Sequence, residues 1–117
     1  MVRQADDAFK EKLEAYTKRL ESLGHTVHLP HRDTNQNNPG LQICKDNFDA
    51  IDGSHQVHIF YNSKSTGVHF DMGMAFAIYN LFKDIKIKVI ENEPFNEQKS
   101  FAKLLHEWEE EQNGNKN

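Results

Sequence analysis

A short apolar run, Val57-His58-Ile59-Phe60-Tyr61, is followed by a polar loop with Gly67 and then by the small and apolar residues of Val68 to Phe82. β-Branched and aromatic residues in the first segment and helix formers in the second restrict this part of the chain to strand, loop and helix. Such a unit buries its strand and aims the loop amides and the helix N-terminus past the strand end. The spacing predicts a strand over 57–61 and a helix over 68–82. Asp71 then falls in the first or second helical turn, where the dipole favours an ionised carboxylate. Gly73, Ala75 and Ala77 are expected to let this helix approach a sheet closely.

The flanking segments extend the pattern. Phe9, Leu13, Tyr16, Leu20 and Leu23 recur at helical spacing and end at Gly24, a C′ stop. His25 to Pro30 reads as a short strand closed by proline, and 31–41 as a polar loop rich in Asn, Asp and Pro. Ile43, Phe48 and Ile51 mark a helix over 43–51 that ends at Asp52-Gly53-Ser54. Ile85 to Ile90 alternates apolar residues with lysines, as an edge strand does. Pro94 introduces a last helix with a core stripe of Phe101, Leu104, Leu105 and Trp108, and 109–117 reads as a frayed tail. Helices alternating with strands predict one α/β domain over 1–117: a three-layer, flavodoxin-like (Rossmann-like) parallel sheet with helices on both faces.

Composition excludes several functions. Fourteen Lys and Arg against eighteen Asp and Glu leave a net charge of −4 with no basic block, which argues against nucleic-acid partners. Cys44 is the single cysteine, so no internal disulfide forms and a reducing, cytoplasmic setting fits. No apolar run reaches the ~20 residues of a membrane helix. Among the histidines, His25, His28 and His31 are not at helical spacing and no pair matches a zinc signature, so no metal is expected. Neither a dinucleotide fingerprint nor a P-loop is present.

In open α/β sheets ligands sit beyond the carboxyl ends of the strands, so the loops after Pro30 and Tyr61 are expected to share a crevice. The first supplies His31, Arg32, Asp33, Thr34, Asn35 and Gln36, which can read a sugar or a heterocycle edge. The second supplies Asn62, Ser65, Thr66 and the amides around Gly67, with Asp71 following. Each has a structural alternative: Ser65 as an N-cap, Arg32 and Asp33 as a surface ion pair, Asp71 as a helix-dipole partner.

Two motifs together, His28-Leu29-Pro30-His31-Arg32-Asp33-Thr34-Asn35-Gln36 and Ser65-x-Gly67-x-x-x-Asp71-x-Gly73-x-Ala75-x-Ala77, give the chain its family resemblance. It resembles the nucleoside 2-deoxyribosyltransferase superfamily, which includes nucleoside 5′-monophosphate N-glycosidases. The resemblance implies a carboxylate, here Asp71 where the family usually has Glu, that attacks C1′ of a nucleoside and passes the sugar to another base or to water. It implies that Ser65 holds the sugar hydroxyl or 5′-phosphate, and that Arg32, Asp33, Gln36, Asn62, Gly67, His69 and Met74 line the substrate site. Asn47 stands where an Asp is usual. The resemblance further implies no cofactor, a small nucleoside or nucleotide as ligand, and a homo-oligomer. It also implies a first, central strand that this sequence lacks, so the sequence is expected to begin late. A binding or regulatory module of the same fold, without turnover, is the alternative function.

Overall fold

The computed structural model describes residues 7–82 and 84–114. Contacts divide the chain into two compact units, Met1–Ala50 and Ile51–Asn117.

In the first unit α1 spans Asp7–Ser22. It ends as its sequence predicts: Gly24 adopts φ 97° and donates to the Glu21 carbonyl at 3.0 Å, while His25 N–H reaches the Leu20 carbonyl at 3.2 Å. These paired bonds satisfy the carbonyls left over at a helix end, and the positive φ suits glycine. A short helix α2, Pro30–Asp33, follows with proline in its first turn, and α3, Gly40–Asp52, has all but its last two residues in this unit.

The second unit holds β1 (Gln56–Phe60), α4 (Thr66–Phe82), β2 (Lys86–Glu91) and α5 (Phe101–Gly114). The strands pair in parallel, Gln56 opposite Lys86 through Ile59 opposite Val89, and then Phe60 opposite Glu91. Ile90 is therefore the extra residue of a bulge next to the loop that leads into α4. Ile59 and Ile87, with Tyr61 just beyond β1, cluster with Met72, Ala75, Ile78 and Tyr79 of α4 and with Ala102, Leu105 and Trp108 of α5. Each large apolar side chain buried this way contributes roughly 1.5–3 kcal/mol. The cluster is what holds α4 and its loop in place.

The three-layer flavodoxin-like sheet is not formed. Among the described residues there is one two-stranded sheet and the rest of the regular structure is helical. Two sets of side-chain bonds account for the difference. Over 25–29, where a strand is expected, Arg32 Nη2 donates to the Val27 carbonyl at 3.1 Å and Asp33 Oδ2 accepts the Leu29 N–H at 2.8 Å. Those backbone groups are thereby used locally instead of in a ladder. At the outer edge of β2, Gln112 of α5 accepts the Ile87 N–H at 2.8 Å and donates to the Ile87 carbonyl at 3.0 Å. Glu109 accepts the Val89 N–H at 2.8 Å. A helix supplies there the bonds that another strand would make.

Smaller corrections follow from the same contacts. Helix α4 opens at Thr66, two residues before the predicted Val68, because Ser65 caps it. Of its small residues Ala75 is fully buried, whereas Gly73 and Ala77 are exposed on the opposite side. In α5 the buried stripe is Ala102, Leu105 and Trp108; Phe101 and Leu104 are exposed. Residues 109–114 are helical, not frayed, since Glu109 and Gln112 bind β2 and Tyr79 donates to Glu111 at 2.7 Å. Residues 115–117 of the expected tail lie outside the described residues.

Candidate functional site

Asp71 is half-buried on α4 and has no hydrogen-bond or ionic partner among the described residues. Burial raises its pKa from the ordinary 3.8 to about 6. The helix dipole, invoked above to favour the charge, is worth about 0.3–1 kcal/mol and fades within one turn. A rise of about two pH units corresponds to roughly 3 kcal/mol in the opposite direction, so desolvation wins. At neutral pH the group is mainly ionised yet poorly solvated. Helical periodicity places Gly67, Asp71 and Met74 along one stripe of α4, continuing to the buried Ile78. Three of the expected site residues therefore share a face.

His69 lies two positions from Asp71, about 160° away around the helix, and so faces elsewhere. Its Nδ1 is 2.6 Å from the Ser65 carbonyl, which can only accept, so Nδ1 carries a proton. Its Nε2 is 2.9 Å from the Tyr61 hydroxyl, which donates to it when the ring is neutral. Rings of Tyr61 and Phe101 pack edge-on against it, with centroids 5.3 and 4.7 Å away. Both nitrogens are occupied; His69 ties β1, the loop and α5 together.

Ser65 is the N-cap of α4, its Oγ accepting the Val68 N–H at 3.2 Å. That leaves its hydroxyl proton available to a ligand. Asn62 shapes the loop by accepting the Lys64 N–H through Oδ1 at 2.9 Å and the Ser65 N–H through its carbonyl at 3.0 Å. A Cβ built on Gly67 would meet only Ser65 Oγ, at 3.9 Å, so open space lies beside this residue. Sequence reasoning missed Glu93, which accepts the Ser63 N–H at 2.9 Å. The Ser63 donors hold its carboxyl below the usual range. Its distance along the chain from the loop hides this contact from any local pattern.

The remaining expected residues belong to the first unit, where their polar groups bond to neighbours of that unit, Arg32, Asp33 and Gln36 while exposed. Arg32 forms a two-point pair with Glu21 at 3.2 and 3.0 Å and another with Asp33 at 2.8 Å through both Nε and Nη2. Asp33 is drawn down to a pKa of about 2 by Arg32 first, with the Leu29 N–H contributing. Gln36 Nε2 donates to the Pro30 and Thr34 carbonyls at 3.0 and 3.2 Å. Asn47 Oδ1 accepts from the buried Thr34 hydroxyl at 2.8 Å, and His28 Nε2 lies 3.0 Å from that same hydroxyl. His31 pairs with Glu14 of α1 at 3.1 Å. Because 25–29 is not a strand, the premise that two adjacent strand ends frame one crevice also falls.

Comparison with protein-family models, with curated proteins and with solved structures returns no match. No described helix is long and apolar enough to cross a membrane.

Proposed function

We propose that the chain cleaves or transfers the N-glycosidic bond of a (deoxy)nucleoside or nucleoside monophosphate, with Asp71 as the carboxylate beneath C1′. Asp71 itself carries the reading: a half-buried, unpartnered carboxyl at a pKa of about 6, on the stripe it shares with Gly67 and Met74. A desolvated carboxylate gains most when positive charge develops next to it, and perturbed groups of this kind gather at functional sites. Breaking the C1′–N bond sends its electron pair to the base and leaves oxocarbenium character on the sugar. An Asp71 oxygen bonds to C1′, the departing base nitrogen takes up a proton, and water or a second base then displaces the carboxylate. The bond changes need no cofactor. The resemblance adds a homo-oligomer to this reading, and the single cysteine, Cys44, adds a reducing, cytoplasmic setting.

The test is base release from a panel of 2′-deoxynucleosides and nucleoside monophosphates, with and without an acceptor base, followed by chromatography for wild type and Asp71→Asn. Release by the wild type and its loss in the variant are expected. A second reading, a nucleoside-binding module without turnover, is favoured by Asn47, an amide engaged with Thr34 where the family usually has a carboxylate. Tight binding of a panel member without any release would select it.

A further inference from the structure

Side chains of β1 and β2 alternate between the two faces of their sheet. Val57, Ile59, Ile87 and Val89 take the face that joins the apolar core, so Gln56 and His58, opposite Lys86 and Lys88 in the register, take the other. Lys86 and Lys88 are exposed and stand about 7 Å apart along the strand. Neither ammonium has a carboxylate within ion-pair reach among the described residues, although eighteen Asp and Glu outnumber fourteen Lys and Arg in the chain. The edge they flank is already closed by Gln112 and Glu109, so protecting it does not require a free pair of charges.

The two lysines border a cleft of about 260 Å³ together with Gln56, Glu109, Gln112 and Asn113. Its donors outnumber its acceptors. His58 Nε2 lies 2.9 Å from Gln56 Oε1, an oxygen that only accepts, so both Gln56 amide hydrogens stay available. Gln112 Nε2 gives one hydrogen to the Ile87 carbonyl at 3.0 Å and keeps the second. Glu109 uses Oε2 for the Val89 N–H at 2.8 Å, and its Oε1 has no partner among the described residues. Two ammoniums against one carboxylate leave the lining positive.

We propose that this cleft binds a small phosphomonoester of a polyol, with the phosphate on Lys86, Lys88 and the Gln56 amide and the hydroxyls on Glu109 Oε1 and Asn113. Such a phosphate carries a charge of about −1.5 to −2 at neutral pH and three strong acceptor oxygens, which match a pair of ammoniums and nearby amide donors. The cleft has the space of roughly eight or nine waters, so a carbon skeleton fits beside the phosphate. Gln56 and Lys86 open their strands, whereas the Gly67 loop and Asp71 follow the end of β1. This site is therefore separate from the glycosidic one, and either can fail without the other.

Amide NMR titrations at low salt with glycerol 3-phosphate, inorganic phosphate and glycerol test it. The proteins are wild type, a Lys86→Gln, Lys88→Gln double variant, and Lys45→Gln as an exposed lysine of the first unit. Glycerol 3-phosphate is expected to give saturable shifts at Ile87, Lys88 and Asn113 with a Kd of about 1 mM or tighter. Inorganic phosphate should shift the same amides at least threefold more weakly, and glycerol none of them. The double variant should weaken the ester at least tenfold, while Lys45→Gln leaves it unchanged. About 0.5 M salt should weaken wild-type binding in the same direction, and this arm decides the matter should the double variant not fold. No saturable shift, or an equal loss in Lys45→Gln, overturns the site. Inorganic phosphate that binds as tightly as the ester overturns the parts given to Glu109 and Asn113.

Discussion

Gln112 holds both the N–H and the carbonyl of Ile87, at 2.8 and 3.0 Å, so one side chain of α5 occupies the outer edge of β2 as a neighbouring strand would. With Glu109 on Val89 and the exposed Lys86 and Lys88, the edge is closed by side chains and flanked by charge. Open edges invite pairing with other chains, and lysines blunt them.

Replacing Gln112 by Leu keeps the side chain's bulk and frees both Ile87 groups. The variant is expected to lose about 1–2 kcal/mol in urea unfolding and to associate as concentration rises, read by light scattering. Unchanged stability with no association would mean the edge needs no cover.

Asp71→Asn should raise stability at neutral pH. A carboxyl whose folded pKa lies above its unfolded value contributes fully below about pH 3.8, and the contribution is lost as pH rises through about 6. The neutral amide avoids that loss, by about 1–2 kcal/mol at pH 7 once the group's remaining exposure is discounted. The gap between variant and wild type should close by pH 4.

Asp33 has the opposite sign. Its pKa of about 2 means stability present above the unfolded value near 3.8 and lost as pH falls through 2. Asp33→Asn retains an acceptor for the Leu29 N–H but gives up the Arg32 pair. It should flatten the acid limb of the stability curve and cost about 1 kcal/mol or less at pH 7, an effect that salt diminishes.

Gly73 sits within α4 with nothing within 4 Å of a built Cβ. Gly73→Ala is expected to stabilise the chain by about 0.5–1 kcal/mol, seen as a higher Tm.

Periodicity in the sequence located α1, β1, α4 and β2; the last three contribute buried residues to the core, whereas in α1 only Thr17 is buried. The segment 25–29 misled. Its alternation of Val27 and Leu29 with polar residues suits a strand, but Arg32 and Asp33 take the backbone groups a ladder needs. In α5 half of the expected stripe holds: Leu105 and Trp108 are buried, while Phe101 and Leu104 lie outside and Ala102 is buried in their stead. Asp71 was visible as a residue but not in its charge state, since desolvation comes from the tertiary packing around α4 and leaves no local mark. Arg32, Asp33, Gln36 and Asn47 stood out for their polarity, and most of that polarity serves the fold of their own segment.

The most direct test of the central claim is the rate of base release from the best 2′-deoxynucleoside between pH 5 and 8, for wild type and Asp71→Asn. A carboxylate nucleophile with a pKa of about 6 predicts a wild-type rate that climbs through that pH and levels off, with the variant reduced at least a hundredfold across the range. A wild type that releases no base, or a variant that matches it, would contradict the assignment of Asp71.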